Sequence, residues 1–348
     1  MSSSDTSPRP SKRARHSLDQ GSSPLHASSS PFSLTNLKHH PEFWFDDGNI
    51  VLVAQHTGFR IYRGLLAAQS TVFADMFASA TSAANEVLEG CPVVHLTDPE
   101  DDLVYLLRIL LPTSPTCYRT PDPEIIHSFD EIFGVVRLAH KYHIQPIEDQ
   151  ELRSLQEYWL TSDFDVFFGP SKSHIDMEPV HYIGAVNLAR LTDTPLMLPL
   201  ALYQCCYLGS ELLDGWIRED DTVEYLSPED VRRCFDARIA LTCQESFLVS
   251  RLFDVIHPQR CKARGRCAPI VAALSYTSMR EQPSPVVHAL WEWSPTLVGL
   301  QGLCEGCVQV LHERDKEQRR RIWDALPRIL GITVEGWGKP SEGAGNAA

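Results

Sequence analysis

Two short segments hold four thiols at ligand spacing. CKARGRC sets Cys261 and Cys267 six residues apart, CEGC sets Cys304 and Cys307 three apart, and 36 residues separate the pairs. Four thiolates from two short loops meet the tetrahedral demand of a structural zinc ion, and Gly306 inside the second pair permits the tight turn that lets two sulfurs face one ion. The first pair is more widely spaced than usual, and His257 and His312 are available as substitute ligands. The opposing reading is that free cysteines are small buried apolar groups. That is the expectation for the other six, Cys91, Cys117, Cys205, Cys206, Cys234 and Cys243, which fall inside helical or strand patterns. A redox role for Cys304 and Cys307 would need a thioredoxin-like strand-to-helix context, which the surrounding sequence lacks.

A second candidate is RLAHKYHI, with His140 and His143 three residues apart. A metal site would need a third ligand and outer groups to fix the tautomers, and nothing nearby in sequence supplies them. At 100° per residue both histidines project onto the apolar stripe of Ile125, Phe129, Ile132, Phe133, Val136 and Ala139. They are expected in the last turn before Gln145-Pro146, bonding orphan carbonyls and complementing the helix dipole.

Catalytic signatures are missing. There is no GxSxG, GxGxxG, GxxxxGK[ST], HExxH or CGSCW. The acidic clusters Asp98 to Asp102 and Glu219 to Asp221 read as helix-start charge and a solvated loop, and the expectation is that the chain is not an enzyme.

A chain of 348 residues can bury one large core or two medium ones without disulfides. Residues 1–38 hold twelve serines and four prolines with few large apolar groups, too few to offset ordering entropy, so a disordered tail is expected. That tail carries five cations against two anions, net +3, which leaves −17 on residues 39–348 out of the total of −14. An acidic body repels phosphate backbones, so no direct nucleic-acid binding is expected. PSKRAR, with Lys12, Arg13 and Arg15, reads either as solvated charge or as a short nuclear signal. The longest apolar run, Leu196 to Leu208, is broken by Pro199 and Gln204 and falls short of the ~20 residues a membrane span needs. With no apolar signal segment at the N-terminus, an intracellular protein off the membrane is expected, its cysteines thiols or metal ligands.

The elements that would carry these groups follow from period and punctuation. Asn49 to Ala54 and Phe59 to Arg63 read as a hairpin, and GLLAAQSTVFADMF as one helix with Leu65, Leu66, Gln69, Val72, Phe73 and Met76 or Phe77 on its apolar face. Pro92 to Leu96 reads as a third strand, and Asp101 to Leu111 as a helix capped by Thr97 or Asp98, with Pro99 near its first position. Beyond residue 160 the chain reads mainly helical, from Pro179, from Pro195 and from Ser227, where Ser227 with Asp230 resembles a capping box. A last helix from His312 ends in Ile322, Trp323 and Leu326 before Pro327, and Arg319 to Arg321 read as its solvated face.

The order DGNIVLV, FRIYRGLLAAQSTVFADMF, VVHL, LVYLLRILL and VVRLAHKYHIQPIEDQELRSL resembles the BTB/POZ family, in particular the BTB-domain proteins of mushroom-forming fungi. The likeness spans about residues 41–160. It implies an α/β (α+β) BTB/POZ domain over 39–160, followed by a mainly α-helical domain over 161–338 with the cysteine-rich site and a disordered end at 339–348. It further implies a homodimer formed through the N-terminal part and surfaces that recruit unknown protein partners. Phe43, Trp44 and Phe45, in an apolar stretch leaving the tail, are candidate contacts, with packing on their own core as the alternative. The family's usual histidine after the second strand is Tyr62 here, and its arginine or cysteine before Ser70 is Gln69, which alters the binding groove known in animal relatives. Some members recruit cullin scaffolds through an apolar-x-Glu motif after the first core helix. The matching MFASATSA has no acidic residue before Glu86, so a scaffold, transcription-associated or not, is preferred over a ubiquitin-ligase adaptor.

Overall fold

Apolar β-branched runs define the centre of the molecule. The computed structural model describes residues 37–82, 86–111, 127–169, 175–256, 259–280, 289–293 and 302–339. Lys12, Arg13, Arg15, Cys117, His257 and the expected C-terminal end from residue 340 lie outside them. Strand β1 (Lys38–Trp44) is followed by β2 (Ile50–Ala54), buried at every position, and by β3 (Thr57–Ile61). β2 and β3 pair antiparallel across a turn in which Gln55 takes φ 52°. β1 runs parallel to β3 at the sheet edge, where Pro41 removes no ladder donor. It was not expected as a strand, because its histidines, proline and acid hide the alternation.

The next segment is two helices, α1 (Arg63–Gln69) and α2 (Thr71–Ser82), where the sequence predicts one. Ser70 breaks them in an extended conformation, its hydroxyl donating to the Tyr142 carbonyl at 2.6 Å and accepting from Phe73 N–H at 3.0 Å. Together they form the crossover that lets β5 (Cys91–Leu96) lie parallel to β2. A two-residue strand β4 (Val87–Leu88) pairs on β5 and completes the order β1-β3-β2-β5-β4.

In helix α3 (Glu100–Leu110) Pro99 takes the N-cap position with no side-chain cap bond, and Thr97 and Asp98 lie before it. Asp98 is buried and taken instead by Lys141 Nζ at 2.5 Å and by the Tyr142 hydroxyl. After β6 (His127–Ser128), Ser128 caps α4 (Phe129–Lys141) by accepting from Glu131 N–H. α4 is apolar on two faces. Val135, Leu138 and Ala139 join the sheet's core, while Phe129, Ile132, Phe133 and Val136 join a second core that extends to Leu330.

α4 ends at Lys141, and His143 sits beyond it with φ 54°, exposed. The helical projection therefore fails for His143, whereas His140 lies in the last turn of α4 as expected. His140 faces Glu148 at 3.3 Å and not the helix carbonyls.

The second core is built from α5 (Gln145–Tyr158), α6 (Phe164–Phe167), α7 (His181–Leu191), α8 (Leu198–Cys205), α9 (Pro228–Leu252), α10 (Arg264–Arg280) and α11 (Glu305–Ile329). Two small pairings, β6 with β7 (Ile175–Asp176) and β8 (Trp216–Ile217) with β9 (Val223–Glu224), tie its loops. The N-cap half of the capping box forms, with Ser227 Oγ accepting from Asp230 N–H at 3.1 Å, while the Asp230 carboxylate accepts from the Ser227 hydroxyl. α11 runs through Pro327 to Ile329. The proline orphans the Trp323 carbonyl four residues back, and Trp337 Nε1 donates to that oxygen at 2.7 Å, which is why the helix is not broken there.

Glu219 to Asp221 are largely exposed, as expected, but Arg218 just before them and Arg319 within Arg319 to Arg321 are buried. Arg218 has side-chain exposure of 1% and its Nη2 lies 2.6 Å from Asp102 Oδ1 and 2.5 Å from Asp130 Oδ1. Arg137 also reaches Asp102, and Glu219 N–H donates to Asp130. This cluster joins α3 and α4 to the loop after β8. Likewise Arg319 is buried against Asp315 and the Phe168 ring, while Arg320 bonds Asp165 and Arg321 bonds Glu317 at the surface. In both places local acid–base alternation suggests solvent exposure, and only tertiary packing covers it.

Candidate metal centre

Cys304 is the residue just before α11 and Cys307 lies in its first turn, where Cys307 and Val308 N–H both donate to the Cys304 carbonyl, at 2.9 and 3.1 Å. Cys267 lies in the first turn of α10, its N–H bonded to the Ala263 carbonyl at 2.9 Å. Cys261 stands in the loop leading into α10. The N-termini of helices of 17 and 25 residues thus converge on the same point, and their unpaired N–H groups favour negative charge there.

The four sulfurs all lie within 4.8 Å of one another, with Cys267 and Cys307 buried and Cys261 and Cys304 half-buried. Metal–sulfur bonds of about 2.3 Å set tetrahedral ligands roughly 3.8 Å apart, so the sulfurs close on one ion with small adjustments. Cys304 N–H donates to Cys267 Sγ at 3.3 Å, linking the two pairs directly. Backbone N–H groups of Cys307 and Lys262 pull the Cys304 thiol down to about 6. Burial pushes the thiols of Cys267 and Cys307 up. A cation between the sulfurs removes that cost, since a bound metal deprotonates its thiols outright.

Gly306 permits the assembly in a way that spacing alone does not show. A Cβ there would overlap the Arg260 carbonyl oxygen, so the loop carrying Cys261 can press onto α11 only because residue 306 has no side chain. Arg260 then bonds Glu313 on α11 at 2.9 Å. Arg314 donates to the carbonyls of Leu252, Asp254 and Val255, closing the end of α9 against the same helix. The four cysteines therefore sit where α9, α10 and α11 meet, and they can hold a single metal ion.

The four ligands read from the sequence are the four brought together, and His312 is not part of the cluster. Among the described residues, His140 and His143 join no group of three or more metal-ligating side chains. Cys91, Cys205, Cys206 and Cys234 are buried as expected, whereas Cys243 is exposed on α9.

Of the candidate partner contacts, Phe43 is fully buried in this chain's own core. Trp44 is half-buried and stacks on His39, with 3.5 Å between ring centroids; Phe45 stacks on Tyr62, whose hydroxyl bonds Asp47. Gln69 is exposed, its amide 3.4 Å from the Leu110 carbonyl. No helix among the described residues is long and apolar enough to cross a membrane. No family model matches the chain, and no curated protein matches it.

Proposed function

We propose that this chain is a protein-interaction and self-association module of the BTB/POZ type whose helical half is stapled by a structural zinc ion on Cys261, Cys267, Cys304 and Cys307. The observation that carries the metal assignment is the convergence of four sulfurs within 4.8 Å from loops 36 residues apart. Sulfur-only ligation suits zinc, and a full set of four protein ligands leaves no open position, which is the mark of a structural ion.

The interaction role is supported by the order of hairpin, two helices, parallel strand and three further helices, and by the outer edge of β1, which no strand covers among the described residues. An uncovered edge with half-buried Trp44 and Phe45 beside it is a ready surface for another chain. The net charge of −14 speaks for protein partners over phosphate backbones.

Elemental analysis of protein purified without chelator should give close to one zinc per chain, and chelation should lower the unfolding temperature. Sub-stoichiometric metal with unchanged stability refutes the zinc assignment. For the interaction role, the tagged protein is purified from its native cells and its companions are identified by mass spectrometry. Chromatin or repressor components support a nuclear scaffold, copies of itself support self-association, and a cullin replaces the scaffold reading with the ubiquitin-ligase adaptor.

A further inference from the structure

Charge is segregated along this chain. Residues 255–280 carry Arg260, Lys262, Arg264, Arg266 and Arg280 and no acid, a net +5, which leaves −19 on the rest out of the total of −14. Four of these cations fall within residues 260–266, in the loop that closes on the sulfurs, and all four are exposed. Arg260 is taken by Glu313 of α11. The side chains of Lys262, Arg264 and Arg266 make no ion pair or hydrogen bond to another described residue. Arginines elsewhere in the chain that stand near acids are paired with them, as Arg137, Arg190, Arg218 and Arg319 are. Gly265, between Arg264 and Arg266, has open space where a Cβ would stand, so the outer side of the loop is accessible.

The sulfurs do not use these cations. Four thiolates outweigh a divalent ion, but backbone groups meet that excess. Cys304 N–H donates to Cys267 Sγ, the N–H groups of Lys262 and Cys307 reach the Cys304 sulfur, and α10 and α11 both begin there. Glu305, exposed in the first turn of α11, is the acid nearest the ligands along the chain, and the three cations outnumber it. A positive surface therefore remains on an otherwise acidic molecule. The body selects the ligand. A long phosphate backbone running past the loop would meet the acidic remainder of the chain, whereas a short acidic segment is held at the loop alone. Arginine also matches a carboxylate with two parallel hydrogen bonds. We propose that the exposed loop Lys262–Arg266 over the metal centre is a docking surface for a short segment of a partner protein rich in Asp and Glu. This names the chemistry of one partner for the interaction role proposed above and rests on that role, while the β1 edge and the metal ligation can each fail without it.

The test uses the full chain with its metal. Fluorescence anisotropy of a fluorescein-labelled octaglutamate peptide at low salt should show saturable binding that weakens steeply as salt is raised. Lys262→Glu, Arg264→Glu and Arg266→Glu together should weaken it by about tenfold or more, the combined effect of three exposed charge contacts. Acids in the first turn of α10 suit its dipole, so this variant should keep its fold and its zinc, checked by thermal unfolding and elemental analysis. Arg63→Glu, Arg153→Glu and Arg232→Glu together make the same change of charge at exposed sites elsewhere and should weaken binding far less. Equal losses in the two triple variants, or no saturable binding by the unaltered chain, overturn the proposal. A DNA duplex that binds more tightly than the peptide, and is lost in the loop variant, overturns the choice of an acidic segment and assigns the loop to a phosphate backbone. Peptide binding that depends on the loop in protein with sub-stoichiometric zinc supports the docking surface and refutes the metal assignment alone.

Discussion

Replacing Arg218 by methionine removes the cation that holds two buried carboxylates together. Its Nη2 is 2.6 Å from Asp102 and 2.5 Å from Asp130, and both carboxylates are almost wholly out of solvent. Breaking a buried pair from one side strands the opposite charge and costs about 3–5 kcal/mol. Asp102 keeps Arg137 at 2.6 Å and Asp130 keeps the Glu219 N–H at 2.9 Å, which places the expected loss toward the lower end of that range. At about 2–4 °C per kcal/mol for a chain of this size, the unfolding temperature should fall on the order of 10 °C. Urea denaturation of the full chain measures the loss directly. Adding Asp130→Asn should recover part of it, because the stranded charge is neutralised, with a coupling of about 1 kcal/mol or more between the two changes. A loss for Arg218→Met below about 1 kcal/mol, or strict additivity in the pair, would show that the cluster is hydrated and does not join α3 and α4 to the loop after β8.

Four further outcomes are expected. Cys307→Ser should abolish metal retention and lower stability by as much as chelation lowers the unaltered protein, read by elemental analysis beside thermal unfolding; full retention would mean that Cys307 is not a ligand. Gly306→Ala should loosen metal and lower the unfolding temperature, because its Cβ overlaps the Arg260 carbonyl, whereas Gly265→Ala, with open space around it, should do neither. Trp337→Phe keeps a ring against Trp323 but leaves that residue's carbonyl without its donor, an expected loss of about 1–3 kcal/mol by urea denaturation. Burial alone would raise the Asp230 carboxyl, but Arg190, Ser227 and Arg233 hold it below the usual range. Its contribution is therefore present above its unfolded value of about 3.9 and lost as pH falls through the lower folded value, so Asp230→Asn should flatten stability against pH below about 4.

Much of the helical half was legible because its signals are local. Ser227 and Asp230 cap α9 within four residues of each other, and CEGC turns on its own glycine at the head of α11. The ligand set was legible for the same reason, since two loops with sulfurs at turn spacing already limit what they can hold, although nothing in the spacing showed that Gly306 must admit the Arg260 carbonyl. Where distant residues supply the deciding partner, local patterns misled. The helix predicted across Ser70 is broken because its hydroxyl reaches the Tyr142 carbonyl 72 residues away, and β1 is a strand because β3 offers it an edge. Asp102, read as helix-start charge, meets Arg218, 116 residues away, in a buried cluster with Asp130 that no local pattern announces. Pro327 marks a helix end unless an indole ten residues on bonds the carbonyl it orphans. The sequence by itself determined the period of several helices, the Ser227 cap of α9 and the chemistry of four thiols, because those depend on neighbours along the chain. The tertiary structure decided which charges are buried, which helices break and which thiols meet, because a buried polar group takes its partner from wherever the fold brings one within about 3 Å.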